Sequence, residues 1–163
     1  VSSVFAADMD NDGDMDVVSA VYTDGDVRWH ENDGTPSGIN WDTYNIDTSV
    51  NGAVSVFVAD MDNDGDMDVV SAAAIGDKIQ WHENDGTPDA VWTTVNVETS
   101  VNKASSVFVA DIDNDGYLDI VSAAYRDDEI AWYDNAAIPE FPSIMMPIVS
   151  VLAIVGLNYR RRH

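Results

Sequence analysis

The chain contains no cysteine. Neither a disulfide framework nor a metal site with thiolate ligands is therefore available to it. Basic residues are also scarce: 7 Lys and Arg stand against 30 Asp and Glu among 163 residues, which leaves a net charge of −23. Such a charge repels phosphate backbones, so the sequence argues against nucleic acid as a partner. Cations are the expected partners.

The rest of the composition is that of a folded chain. Hydrophobic residues make up 45% of it and aromatic residues 9%, which is enough to form a core and excludes a disordered acidic tail. The sequence opens at Val1, without an initiating Met and without a basic and apolar leader. We therefore expect it to be a fragment or a processed product.

A segment of about 50 residues occurs three times. Its acidic core reads DMDNDGDMD at residues 8–16 and 60–68 and DIDNDGYLD at 111–119, so the copies start 52 and then 51 residues apart. In each copy SVF precedes the acidic core, VSA follows it, and WHEND or WYDN comes next. Self-similarity at this period is typical of repeat architectures.

The apolar segments of each copy are short, rich in β-branched and aromatic residues, and separated by Gly, Asn and Asp, which predicts strands. Along the third strand of the second copy, Ile79 and Trp81 are expected to face inward, with Lys78, Gln80 and His82 on the opposite face. The strands predicted in that copy span residues 55–59, 67–73, 78–83 and 92–98.

Four antiparallel strands per copy predict an all-β fold made of β-propeller blades. We assign the blades to residues 1–52, 53–103 and 104–135, and the third lacks a recognisable fourth strand. A ring needs about 4 to 8 blades. The chain is therefore predicted to form a partial propeller, completed by upstream sequence, which we favour, or by other subunits. A solenoid of sheets is the alternative.

The acidic core has the pattern of a cation-binding loop. Counted from its first Asp, positions 1, 3, 5 and 9 are Asp in every copy, position 4 is Asn, position 6 is Gly and position 7 varies. Calcium loops of this general kind take a main-chain carbonyl at position 7, and Asn and Gly tolerate the positive φ of a sharp turn. Position 12 is Ser rather than the Glu of an EF-hand, so the ring is predicted to close at position 9. The predicted metal residues are Asp8, Asp10, Asp12, Asp14, Asp16, Asp60, Asp62, Asp64, Asp66, Asp68, Asp111, Asp113, Asp115, Tyr117 and Asp119.

So many carboxylates in one loop need a counter-charge, since two of them about 5 Å apart repel by roughly 3 kcal/mol at an effective dielectric of 20. Hard oxygen ligands in a flexible ring suit Ca²⁺, whereas Mg²⁺ prefers a tight octahedron, and no Cys or nearby His is present for zinc. We predict three calcium sites, one per copy. The alternative is a plain hairpin turn, in which Asp, Asn and Gly are also common.

The motif DxDxDGxxD between two strands, repeated about every 50 residues over residues 1–135, resembles the FG-GAP or VCBS repeats of integrin α-subunit propellers and many secreted microbial proteins. The resemblance implies calcium between the first two strands of each blade. It is less specific for function, because that family includes adhesion receptors, lectin-like proteins and accessory domains of enzymes.

The composition changes abruptly after the third copy. Residues 136–142 form a linker with the motif PEFP, residues 143–159 are predicted to form a hydrophobic helix, and residues 160–163 are a basic tail. The uncharged stretch 144–157 would reach about 21 Å as a helix, short of the roughly 30 Å hydrocarbon core of a membrane. The arginines would lie on the cytoplasmic side, which leaves the blades outside.

This layout resembles the PEF-CTERM tails of archaeal surface proteins. The resemblance implies a sorting enzyme that cuts near the PEFP motif and transfers the protein to a lipid anchor. An ordinary C-terminal membrane anchor is the alternative. Both predict a module on the extracellular face of the cell membrane.

No Ser-His-Asp arrangement, phosphate loop or zinc helix is recognisable, so we do not expect an enzyme. His30 and His82 correspond to Tyr133, which argues against a shared catalytic role. Trp29, Trp81 and Trp132 are expected to fill the spaces between blades. The sequence favours a non-catalytic, calcium-binding propeller domain of a cell-surface protein, used in adhesion or in binding an extracellular protein or glycan. An accessory domain of a secreted polysaccharide-acting enzyme and a structural envelope component are the alternatives.

Overall fold

The computed structural model describes residues 1–35, 41–86 and 92–135. Within these ranges the chain consists of strands joined by turns and irregular segments, with no helix, which confirms the predicted all-β class. The strands are β1 (Ser3–Ala7), β2 (Asp16–Val21), β3 (Asp26–Glu31), β4 (Asp42–Asp47), β5 (Ala53–Ala59), β6 (Asp68–Ala73), β7 (Lys78–Glu83), β8 (Thr93–Glu98), β9 (Ala104–Ala110), β10 (Asp119–Ala124) and β11 (Glu129–Tyr133).

The strands form three separate antiparallel sheets, each with neighbours in chain order. Sheet 1 contains β1 to β4, sheet 2 contains β5 to β8, and sheet 3 contains β9 to β11 among the described residues. In the second copy the predicted third strand coincides with β7, and the other three differ from β5, β6 and β8 by one or two residues at one end. The register also repeats, with Val18 between Phe5 and Trp29, Val70 between Phe57 and Trp81, and Val121 between Phe108 and Trp132.

Two kinds of connection join the first three strands of each sheet. The acidic core links the first strand to the second, and a four-residue turn links the second to the third. Gly25, Asp77 and Asp128 end these turns with φ of 75°, 54° and 50°. The left-handed backbone there reverses the chain within a few residues, so the acidic loop and the short turn lie at opposite ends of each sheet.

Apolar side chains pack the sheets face to face. Phe57 joins all three sheets, because its ring centroid lies 4.7 Å from that of Phe5 and 4.8 Å from that of Phe108. Trp29 and Trp81 are buried between sheets, as predicted, while Trp132 is half-buried. The cluster between sheets 1 and 2 includes Met9, Val18, Val27, Trp29, Val50, Val56, Val58 and Val69. The cluster between sheets 2 and 3 includes Met61, Val70, Ile79, Trp81, Val101, Val107, Val109 and Ile120.

The prediction for the outer face of the third strand was wrong in sheet 2. Gln80 is only 5% exposed and His82 is fully buried. Sheet 1 covers this face, since Asp47 of β4 lies 3.7 Å from Nδ1 of His82. A strand between two other sheets has no solvent face, and both ring nitrogens of His82 have hydrogen-bond partners inside the protein, Ser71 and Thr94.

The linker, the hydrophobic helix and the basic tail predicted for residues 136–163 lie outside the described residues. The part of the chain that the structure describes contains no helix long and apolar enough to cross a membrane.

Candidate metal centre

Each acidic loop contains two left-handed turns in fixed places. At position 4, Asn11, Asn63 and Asn114 have φ of 61°, 61° and 62°. At position 6, Gly13, Gly65 and Gly116 have φ of 97°, 99° and 95°. These values confirm the conformations expected of Asn and Gly, and they curl the loop so that alternate residues face its interior.

Main-chain N–H groups hold the carboxylates at positions 1, 3 and 5. In the first loop Asp8 accepts hydrogen bonds from the N–H groups of Asp12 at 3.1 Å and Gly13 at 3.0 Å. Asp10 accepts from Asp12 at 3.3 Å, and Asp12 accepts from Asp14 at 2.8 Å. The second and third loops repeat these bonds. A carboxylate oxygen has two lone pairs, so these bonds leave room for a cation.

Three carboxylates converge in each loop, with ligand atoms within 4.8 Å of one another. The convergent sets are Asp8, Asp10 and Asp16 in the first loop, Asp60, Asp62 and Asp64 in the second, and Asp111, Asp113 and Asp115 in the third. Two oxygens on opposite sides of one Ca²⁺ would lie about 4.6–5.2 Å apart. The donor set therefore fits calcium.

The Asp at position 9 is fully buried, and its hydrogen bonds link the loop to the residue that follows the third strand of the same sheet. Asp68 accepts one hydrogen bond from the Met61 N–H at 3.0 Å and another from the Asn84 N–H at 2.8 Å. Asp16 and Asp119 are buried and bonded in the same way. Position 9 joins the convergent set in the first loop alone, so it has a structural task besides any contact with a cation.

Four carboxylates of these loops, those of Asp10, Asp62, Asp68 and Asp113, have a raised pKa, with burial as the main cause. Burial raises the pKa of Asp68 to about 7, although the N–H groups of Asn84 and Met61 oppose this rise. Burial and the charge of Asp64 raise the pKa of Asp62, and burial is also the main cause of the raised pKa of Asp10. Among the described residues no Lys or Arg forms an ion pair with these loops, since Arg28 pairs with Asp24 and Asp26.

Position 7 differs from the other acidic positions. A Cβ added to Gly34 would meet Oδ2 of Asp14, and one added to Gly86 would meet Oδ2 of Asp66. Gly34 and Gly86, which follow the third strand, also have a φ of 67°, a left-handed conformation that favours glycine. Tyr117 is 44% exposed in the third loop. Neither Asp14 nor Asp66 belongs to a convergent set, and a main-chain contribution from position 7 stays a prediction.

A family model described as FG-GAP-like repeat matches residues 8–71 and 69–122, which include all three acidic loops. The chain belongs to the FG-GAP-like repeat family. The match begins at the first acidic loop and ends within β10, before the tail. No curated protein matches the chain significantly.

Hydrogen bonds join the loops of successive FG-GAP-like repeats. Nδ2 of Asn11 donates to Asp66 at 3.0 Å, from position 4 of one loop to position 7 of the next. Nδ2 of Asn84 donates to the Met9 carbonyl at 3.3 Å, and Nδ2 of Asn135 donates to the Met61 carbonyl at 2.8 Å. Asn84 and Asn135 occupy the same place in WHEND and WYDN, but the sequence analysis did not identify them as site residues.

A groove of about 560 Å³ runs between β4 of one repeat and β7 and β8 of the next. It lies away from the acidic loops and is lined mainly by polar side chains together with Trp92. Asn45, Asn96 and Thr94 are among its exposed polar groups. The arrangement can form hydrogen bonds with a ligand.

Proposed function

We propose that the chain is a non-catalytic, calcium-binding β-propeller domain of a cell-surface protein. The observation that carries the proposal is the convergence of three carboxylates in each of three equivalent loops. No basic side chain of the described residues offsets their charge. Position 9 adds a buried carboxylate to each loop, and burial raises the pKa of the one in the second loop to about 7. A bound cation would offset the cost of ionising Asp68.

Calcium is the cation that this donor set suits best. The side chains that would hold it are the three convergent sets, with the main-chain carbonyl at position 7 and the buried Asp at position 9 as further candidates. Bound calcium would supply positive charge that draws the two ends of the loop together. Since the loop joins β1 to β2 and its counterparts, the ion would stabilise the hairpin rather than take part in a reaction.

The location outside the cell is part of the proposal and rests on the sequence. The PEFP motif, the apolar segment and the arginines follow the repeats in the order of a sorting or anchoring tail, either cut by a sorting enzyme or retained in the membrane. Calcium is abundant outside cells and suits the weaker sites of extracellular modules.

Adhesion or the binding of an extracellular protein or glycan is the proposed role of the domain. The groove between β4 and β8 supports it, because it presents exposed amide and hydroxyl groups beside Trp92 that could form hydrogen bonds with a polar ligand. The proposal includes no catalytic residue.

Thermal unfolding of the full chain tests the calcium proposal. Stripping calcium with a chelator should lower Tm, and Ca²⁺ at 100 times Kd should restore about 2.7 kcal/mol per site. Because a chain of charge −23 is also stabilised by general screening, Mg²⁺ and NaCl at matched ionic strength are the controls. Equal stabilisation by Ca²⁺, Mg²⁺ and NaCl would count against a calcium site.

A further inference from the structure

The groove between β4 of sheet 1 and β7 and β8 of sheet 2 contains a polar group that the fold leaves unpaired. Gln80 of β7 lines this groove and is only 5% exposed. Its Oε1 is buried and accepts no hydrogen bond from any described residue. By contrast, both ring nitrogens of His82, two residues later on the same strand, have partners. A buried oxygen without a donor is costly, so the amide of Gln80 calls for an explanation.

The repeat itself does not require an amide at this place. The counterpart of Gln80 in sheet 1 is Arg28, whose guanidinium donates to Asp26 on its own strand. The counterpart in sheet 3 is Ala131, which has no polar side chain. The packing of the sheets can therefore dispense with this amide, and Gln80 is a feature of one groove.

Amide and hydroxyl groups surround Gln80. Asn45 of β4 and Asn96 of β8 occupy equivalent positions in successive copies, and both are exposed at the groove. Asp47 of sheet 1 accepts a hydrogen bond from Oγ1 of Thr94 of sheet 2 at 3.2 Å. This bond joins the two walls of the groove before any ligand arrives. Groups that are already held in place lose little conformational freedom on binding.

The charges that line the groove balance each other. Asp47 supplies one negative charge and Lys78 one positive charge, and Lys78 forms no ion pair with another described residue. The chain as a whole carries a charge of −23, which repels an anionic ligand at longer range. Side-chain amides and hydroxyls both donate and accept hydrogen bonds, as the hydroxyl groups of a sugar do. The lining therefore suits an uncharged ligand with many hydroxyl groups.

Trp92 supplies an aromatic surface in the same groove. It directly precedes β8, and its half-buried side chain packs against the core cluster between sheets 1 and 2. Packing on one side holds the indole ring, and the exposed part offers a flat apolar surface. The C–H face of a sugar ring can pack on such a surface while its hydroxyl groups reach the amides.

The strands beside the groove are poorly suited to an extended peptide. β4 and β8 are the last strands of their sheets, where a peptide could add as a further strand. Each of them has a register shift beside the groove, because Ile46 and Val97 are left out of the pairing with the third strand. Such bulges bend an edge strand and interrupt the regular spacing that an added strand would need.

We propose that the groove binds a short segment of a neutral glycan, with a sugar ring packed on Trp92 and the amide of Gln80 bonded to a hydroxyl group of the ligand. The proposal rests on the ligand-binding role proposed above and specifies its site and its ligand class. The last torsion of a glutamine side chain is broad, so the amide can turn Oε1 toward a hydroxyl donor in the groove.

The size and the position of the groove agree with such a ligand. Its volume of about 560 Å³ lies within the range of about 300–1,000 Å³ that is typical of small-molecule sites. At the next pair of sheets Glu129 and Ala131 stand in place of Lys78 and Gln80. We therefore expect one such site within the residues that the structure describes.

Nuclear magnetic resonance of the full chain in calcium tests the proposal, because the chain contains a single glutamine. Labelling glutamine with ¹⁵N gives one side-chain amide signal, which belongs to Gln80. The probes are neutral oligosaccharides of glucose, galactose, mannose and N-acetylglucosamine, and oligogalacturonate is the anionic comparison. At least one neutral probe should shift the Gln80 signal saturably, and oligogalacturonate should not. No shift with any neutral probe overturns the proposal, and so does an equal response to the anionic probe.

Isothermal titration calorimetry with the neutral probe that binds best tests the residues. Gln80→Met keeps the length of the side chain without its amide and should raise Kd about 2- to 10-fold. Trp92→Leu should raise Kd about tenfold or more. Trp41→Leu is the control, because Trp41 is the counterpart of Trp92 in sheet 1, is 38% exposed and does not line this groove. Circular dichroism verifies folding, and Asn96→Ala, at an exposed side chain, replaces Trp92→Leu if that variant fails to fold.

The outcomes separate this proposal from the proposed function. A neutral glycan that binds without shifting the Gln80 signal, or with the same Kd in Gln80→Met and Trp92→Leu, overturns the assignment to this groove and leaves a ligand-binding role in place. Calcium stabilisation of a chain that binds no neutral glycan overturns the glycan proposal alone. The melting experiment with calcium uses no glycan, so the failure of the calcium proposal is observed independently.

Discussion

Nδ2 of Asn84 donates a hydrogen bond to the main-chain carbonyl of Met9, 75 residues earlier, at 3.3 Å. The N–H of the same Asn84 donates to the buried carboxylate of Asp68. One residue at the end of β7 therefore holds the acidic loop of its own sheet and touches that of the preceding sheet. Asn135 repeats both bonds one sheet later. The acidic loops are thus parts of the interface between sheets.

Replacing Asn84 with Ala should lower the free energy of unfolding by about 1–3 kcal/mol, because the buried Met9 carbonyl and the partly buried Met67 carbonyl lose a donor. Asn32→Ala is the matched control, since Asn32 is half-buried and its side chain contacts only its own sheet. Its cost should be smaller. Urea unfolding of both variants measures the difference, and equal costs would contradict a role in joining the sheets.

Two substitutions in the second loop should distinguish a residue that binds the cation from one that holds the loop in place by hydrogen bonds. Asp62→Asn keeps an oxygen for the Asp64 N–H, so the calcium-free protein should unfold as the wild type does or at a slightly higher temperature, while calcium stabilisation falls. Asp68→Asn places an amide donor against one of two N–H groups, so it should destabilise the protein with and without calcium. Melting curves with chelator and with calcium test both.

Glu129→Gln is the control for these two variants, because it removes one exposed charge outside the loops. It should leave the calcium-dependent shift in Tm unchanged. An equal loss of that shift in Asp62→Asn and Glu129→Gln would mean that calcium acts through net charge alone.

His82 should make stability depend on pH. Burial lowers the pKa of His82 to about 4, against an ordinary value of 6.5. The charge of Asp47 opposes this shift but does not cancel it, because its carboxylate lies 3.7 Å from Nδ1, beyond hydrogen-bond reach. Nδ1 lies 2.9 Å from Thr94 and Nε2 lies 2.9 Å from Ser71, and since Thr94 donates to Asp47, the proton of the neutral ring belongs on Nδ1.

A histidine whose pKa is lower in the folded state takes up its proton more readily when unfolded. The stability it provides is complete above pH 6.5 and is lost as pH falls toward 4. Relative to His82→Gln, the wild type should therefore lose about 2 kcal/mol between pH 7.5 and 4.5. The raised pKa of Asp68 makes stability change with pH in the opposite direction. Both proteins contain Asp68, so its contribution cancels in the comparison. The half-buried His30 is the control, and an equal effect of His30→Gln would contradict the assignment.

Gly65→Ala should lower the free energy of unfolding by about 1–2 kcal/mol, or Tm by about 2–8 °C. The added Cβ would meet nothing within 4 Å, so the whole cost comes from a backbone with φ of 99°. Differential scanning calorimetry measures it, and a neutral substitution would show that the loop can take another conformation.

The local structure could be predicted from the sequence because it depends on local physics. Alternation and β-branched residues placed β7 correctly, and the residue types of Asn63 and Gly65 were enough to indicate left-handed turns. The burial of Gln80 and His82 could not be predicted, because it depends on the sheet that covers them. An apolar residue at position 2 of every acidic loop was a visible signal that was missed. Met9 and Met61 are there because each loop packs on the next sheet.

Counting the calcium ions bound per chain tests the central claim most directly. Isothermal titration calorimetry of the chelator-treated full chain, at physiological ionic strength and with Mg²⁺ present, should give saturable binding of three Ca²⁺ per wild-type chain and two per Asp62→Asn chain. The absence of saturable calcium binding, or the same stoichiometry for both proteins, would contradict the account.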